Sequence, residues 1–168
     1  FNLDIGCWNV GNVKDMSCLF LNCSRFNKSI NNWNVSNVSN MRLMFSGCIQ
    51  FNQPLSNWNV QNLKNASEMF SNCLNFDQNL NNWNVKNLIT SFRMFSDNHN
   101  YNQSMDKWDV SNLKYASEMF SNCLNFNQNL NNWNVSRVSD MSWMFWNCYN
   151  FNSPLDRWNV GNVVKMNN

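Results

Sequence analysis

Seven tryptophans, Trp8, Trp33, Trp58, Trp83, Trp108, Trp133 and Trp158, stand 25 residues apart with no insertion or deletion between them. A period of that length marks one supersecondary unit, which buries its apolar face only by stacking on its neighbours. The 168 residues therefore read as a single stacked-repeat domain with copies 1–25, 26–50, 51–75, 76–100, 101–125 and 126–150 and a partial copy 151–168. Function in such a stack is expected on a lateral surface or at the two ends, not in a pocket.

Aligned copies expose the core as columns. Phe1, Phe26, Phe51, Phe76, Tyr101, Phe126 and Phe151 open the copies; Ile5, Ile30, Leu55, Leu80, Met105, Leu130 and Leu155 follow, then Trp, an invariant Val and a second Val or Leu. Trp58 and Val60, two apart between polar neighbours, carry the period of a half-buried strand. Ala66, Met69, Phe70 and Cys73 fall at i, i+3, i+4 and i+7, the period of one or two helical turns. The expected fold class is a repeat solenoid, leucine-rich-repeat-like, with one short parallel β-strand plus a short helix or 3-10 segment per coil and seven coils.

The frame L-x-x-W-x-V-x-x-L within each copy, with the phrases FNQPLSNWNV, WNVSNVSNM and MFSGC recurring over the whole chain, resembles the BspA-like leucine-rich-repeat surface proteins of the mycoplasma PARCEL lipoprotein type. That resemblance implies an extracellular, cell-surface or particle-surface protein used for adhesion or attachment, and no enzyme. The lipoprotein signal and lipid-attachment cysteine of that family are missing here, and the chain opens on Phe1, in phase with the repeat, as a mature product or a piece of something longer would.

Charge and hydropathy exclude other classes. A net charge of +2, with Lys and Arg scattered among copies, gives no field that argues for nucleic acid. No apolar run approaches the roughly 20 residues of a transmembrane helix. Catalysis has no constellation to use: His99 stands alone, and Glu68 and Glu118 occupy equivalent places two coils apart. Residues 66–85 and 116–135 differ only at Asp77 and Asn127, so duplication of a two-copy unit explains the paired Glu. No cofactor or metal is expected. Cys23, Cys48, Cys73, Cys123 and Cys148 form a column, interrupted by Asn98, that reads as packing, and Cys7 and Cys18 outside it are the candidates for a reactive thiol or a bridge.

Two surfaces remain as candidates. Asn recurs in columns from Asn9 and from Asn12, broken by Asp109 and Arg137. A stack of carboxamides satisfies turn backbone along the axis, and the same face, represented by Asn57, Asn59, Gln61, Asn82, Asn84, Lys86, Lys107 and Asp109, is the candidate ligand face for glycan or protein. The second candidate is an interface. Variable columns hold polar residues centrally, including Ser71, Ser96 and Ser121, as an exposed helix face does. Their terminal members are apolar: Trp143 and Trp146, with Tyr149 beyond them, and Cys18 and Leu21 at the other end. These pack under further terminal segments or meet a partner. Neither end resembles a polar capping repeat, which suggests head-to-tail self-association.

Overall fold

The computed structural model describes residues 1–167, and in it the copies stack as seven successive coils in chain order, the last represented by residues 151–167. Each coil is made of turns. In the third, Phe51, Trp58, Leu63, Met69, Ser71 and Cys73 each donate their N–H to the carbonyl three residues earlier at 2.9–3.2 Å. Asn59 Oδ1 accepts the Gln61 N–H at 3.2 Å, closing an Asx turn that recurs from Asn9 to Asn159.

The strand-plus-helix coil of a leucine-rich repeat is overturned by this backbone. Among the described residues there is no helix, and the only strand-like pairing is a row of isolated parallel bridges, Asp15 to Asn40, Asn65, Thr90, Tyr115, Asp140 and Lys165. The helical period was real as burial, since Ala66, Met69, Phe70 and Cys73 all lie in the core. Its hydrogen bonds go elsewhere. Ala66, Glu68, Phe70 and Asn72 donate along the stack to Thr90, Phe92, Met94 and Ser96 of the next coil at 2.7–3.0 Å, while the alternate N–H groups close turns within the coil. Each N–H has one partner, so bonding every second one to the next coil excludes the i to i−4 ladder of a helix.

Positive φ makes this alternation possible. Cys18, Leu43, Glu68, Arg93, Glu118 and Trp143 have φ between 50° and 59°, and four residues later Asn22, Gly47, Asn72, Asp97, Asn122 and Asn147 have φ between 57° and 72°. The second column is filled by Asn, Asp and Gly, the residues that enter the left-handed region most readily. The first is not, so the stack holds it there against a strain of about 1–2 kcal/mol per residue. Ser71, Ser96 and Ser121, expected on an exposed helix face, are buried at 3 %, 0 % and 2 %, because the turns point them inward.

Trp58 and Val60 are buried around an exposed Asn59, but without a strand ladder. Their axial bonds come from side chains. Trp33 Nε1 donates to Ile5 O, and the same bond recurs down to Trp158 and Leu130 at 2.9–3.1 Å. Two phenyl columns run beside the indoles. Rings at Phe20, Phe45, Phe70, Phe95, Phe120 and Phe145 stack at 5.5–5.8 Å, and each lies 4.1–4.4 Å from a ring of the Phe26 column. Stacked indoles are 6.1–6.5 Å apart, against about 4.8 Å for hydrogen-bonded strands.

Candidate functional surface

The outer surface is built mainly by asparagine, and each column does a different job. Asn9 and its equivalents close local turns. Asn37, Asn62, Asn87, Asn112 and Asn162 donate Nδ2 to a backbone carbonyl of the preceding coil at 2.7–2.9 Å. Where Arg137 interrupts that column, its guanidinium donates to Asn112 Oδ1 at 2.7 Å. A third column escaped the sequence reading although its spacing was visible there: Asn2, Asn27, Asn52, Asp77, Asn102 and Asn127 each accept the N–H 25 residues later at 2.8–3.2 Å. Asn147 donates to Asn122 and Asn122 to Asp97, adding an amide ladder at the second positive-φ column.

Asn57, Asn59, Gln61, Asn82, Asn84, Lys86, Lys107 and Asp109 are all exposed and share one face of the stack. Much of their hydrogen-bonding capacity is already used: Asn59 and Asn84 close Asx turns, and Lys107 donates Nζ to Asn82 Oδ1 at 3.4 Å. The Ser111 hydroxyl and N–H hold the Asp109 carboxyl below the usual carboxylate range, with Lys86 contributing. Two open clefts of about 340 and 300 Å³ recur on this face, one between Asn32, Asn34, Asn57 and Asn59, the other between Asn132, Asn134, Arg157 and Asn159.

The aromatic residues near the C-terminal end do come together. Trp143 and Trp146 lie 6.2 Å apart at 35° and are 43 % and 44 % exposed, and Tyr149 is exposed beside them in sequence. Cys18 and Leu21 are exposed at the opposite end of the stack, so they form a separate patch. Arg93 lies between the two equivalent glutamates and pairs with Glu118 at 3.3 Å, while Glu68 pairs with Arg42 at 3.4 Å. Half-exposed pairs of this kind add little stability. Among the described residues no group of three or more His, Cys, Asp or Glu is placed to hold a metal, and no helix is long and apolar enough to cross a membrane.

The cysteine column is a hydrogen-bonding device. Cys48, Cys73, Cys123 and Cys148 donate Sγ–H to the carbonyls of Phe20, Phe45, Phe95 and Phe120 at 2.9–3.0 Å. Burial pushes the thiols up, Cys48 to about 12, Cys148 to about 11, and Cys73 and Cys123 well above the ordinary range. A raised folded pKa stabilises the fold fully below the unfolded thiol pKa of about 8.5, and that stability is lost as pH rises toward the folded values. The urea midpoint is therefore expected to fall from about pH 8.5 upward, each thiol contributing up to about 1.4 kcal/mol per pH unit. Cys73→Val should remove its share of that slope. A midpoint flat to about pH 10.5 would contradict the burial of these thiols.

Two overlapping matches to the family model described as "Mycoplasma protein of unknown function, DUF285" cover residues 1–104 and 90–168. No curated protein and no solved structure matches the chain.

Proposed function

Since the chain belongs to the DUF285 family of Mycoplasma proteins over its whole length, we propose that it is a non-catalytic structural repeat protein acting in adhesion or assembly at a cell or particle surface. The finer resemblance to BspA-like surface proteins of the PARCEL type favours this reading. The observation that carries it is the exposed Trp143 and Trp146 pair, with exposed Tyr149 three residues on, toward one end of a stack whose central coils are closed by their own hydrogen bonds. Trp and Tyr anchor interfaces because they bury large area with few rotors.

The test is retention of labelled chain on immobilised glycans and on cultured cell monolayers, at dilution low enough to keep copies apart. Trp143→Ala with Trp146→Ala is expected to lower retention about tenfold or more while leaving the melting temperature close to that of the parent. Absence of retention on both supports, together with absence of self-association, would overturn the proposal. A second reading, recognition of glycan on the Asn-rich face, is favoured by the two repeated Asn-lined clefts. It predicts retention on glycan that survives loss of the tryptophans and falls with Asn57→Ala and Asn59→Ala.

A further inference from the structure

We propose that Asn34 and Asn134 are attachment sites for an N-linked sugar, each taking a hexose from a donor activated as a glycosyl phosphate. Seven Asn-x-Ser triplets occur in the chain, at Asn22, Asn27, Asn34, Asn37, Asn65, Asn102 and Asn134, and such a triplet is the acceptor motif of N-glycosylation. In a chain this rich in Asn several arise by chance, so the triplet alone selects none. The fold selects two. Ser36 donates both its hydroxyl, at 2.7 Å, and its N–H, at 3.2 Å, to Asn34 Oδ1, and Ser136 does the same to Asn134 Oδ1 at the same distances. Val35 and Val135, at the centre of each triplet, are buried at 1 % and 2 %, which turns the flanking Asn and Ser outward together.

The nitrogens are free to react. Both asparagines are exposed, and neither Nδ2 donates to a protein group among the described residues. A Cβ on Gly11 of the preceding coil would stand 3.5 Å from Asn34 Nδ2, so glycine there leaves that nitrogen uncovered. Open clefts of about 340 and 300 Å³ beside Asn34 and Asn134 leave room for a sugar ring. The two residues lie on the second and sixth coils, with a coil on either side, so their exposure belongs to the lateral face. Their column closes local turns, and a substituent on Nδ2 therefore breaks no bond between coils.

The other triplets are engaged differently. Asn37 donates Nδ2 to Gly11 O at 2.8 Å, a bond between coils that attachment would break. At Asn65 the Ser67 hydroxyl is buried and pairs with Thr90 at 2.9 Å. Asn27 and Asn102 use Oδ1 to accept a backbone N–H and a Gln side chain of the next coil, and the Ser104 hydroxyl turns to Asp106. At Asn22 the Ser24 N–H bonds the backbone carbonyl at 2.8 Å instead of the side-chain amide.

Two donors on Oδ1 have a chemical consequence. An amide nitrogen is a weak nucleophile because its lone pair is delocalised on to the oxygen. As Nδ2 attacks the anomeric carbon and gives up a proton, negative charge grows on Oδ1, where a hydroxyl and an N–H already aimed at it stabilise that charge. The nitrogen–carbon bond forms as the bond from the anomeric carbon to the phosphate oxygen breaks. The electron pair of that bond leaves with the phosphate, and one Nδ2 proton passes to a base of the transferase.

In the test, folded chain is treated with UDP-glucose and a soluble asparagine glycosyltransferase of Asn-x-Ser specificity, and each site is followed over time by peptide mass spectrometry. Asn34 and Asn134 are expected to be modified about tenfold or more faster than Asn37 and Asn65. A parallel arm with a polyprenyl-pyrophosphate-linked sugar and its membrane transferase tells which donor class serves the site, and the same order with either supports the proposal. Two substitutions test the phase. Gln61→Ser completes a triplet at Asn59, which closes the same turn, and should create a third fast site, whereas Lys64→Ser completes one at Asn62, whose Nδ2 is held by Ser36 O at 2.8 Å, and should not. Ser stands at these two phases in the second coil, as Ser36 and Ser39, so the fold accepts both changes. Modification of neither Asn34 nor Asn134 with either donor, an equal rate at Asn37, or an unreactive Asn59 in Gln61→Ser overturns the proposal. Retention on glycans or cells is measured with unmodified chain, so the adhesion reading stands or falls separately.

Discussion

Replacing Trp83 by alanine is expected to destabilise the stack by about 3–5 kcal/mol, the range for deleting a buried tryptophan. The indole is 3 % exposed, stacks on Trp58 at 6.2 Å and donates Nε1 to Leu55 O at 3.1 Å. Its loss opens a cavity and removes an axial bond to the preceding coil. Neighbouring coils couple only to one another, so a central defect should split the unfolding transition as well as lower it. Trp8→Ala is the matched control. That ring is half exposed at the first coil, and its removal from dilute monomer should change stability by no more than about 1 kcal/mol. Equal losses in calorimetric or urea unfolding of the two variants would mean that the indole ladder does not hold the coils together.

The fourth coil makes the opposite prediction, a gain. Asn98 occupies the cysteine column and is fully buried, yet both its Oδ1 and Nδ2 are without partners, and the buried Tyr101 hydroxyl three residues on is unpartnered too. A carboxamide at this phase does not reproduce the thiol bond to the preceding coil that Cys73 and Cys123 make. Burial pushes the Tyr101 phenol well up, consistent with a hydroxyl that nothing stabilises as phenolate. A buried polar group left unmatched costs about 1–3 kcal/mol. Asn98→Cys, and separately Tyr101→Phe, should each raise stability by about that much, with some coupling in the double variant since the sites are neighbours. A lower urea midpoint for Asn98→Cys would show that the amide is satisfied by something other than protein groups.

The Asn-rich face was legible because its exposure follows phase, and it lies on the outside; Trp146 was not legible that way, since it is 44 % exposed in a column whose Ser71, Ser96 and Ser121 are buried. The role of each asparagine was less legible. Asn37 and its equivalents bond along the axis as a carboxamide stack suggested, but through backbone carbonyls, whereas Asn9 and its equivalents turn back on their own coil. One residue type at a fixed phase says that an environment recurs. It does not say whether the amide faces its own turn or the next coil, which depends on backbone direction.

By itself the sequence determined the stack, its period and its buried columns, because identical residues at identical phase can be buried together only by superposing copies. It did not determine what the backbone does between those columns. The pattern at Ala66, Met69, Phe70 and Cys73 suits a helix and a chain of turns alike, since both put those side chains on one side. The competition is settled by where the N–H groups find acceptors. Only when coils are superposed do Thr90, Phe92, Met94 and Ser96 present carbonyls to Ala66, Glu68, Phe70 and Asn72, and those tertiary bonds hold Glu68 and Asn72 at positive φ where an isolated segment would relax.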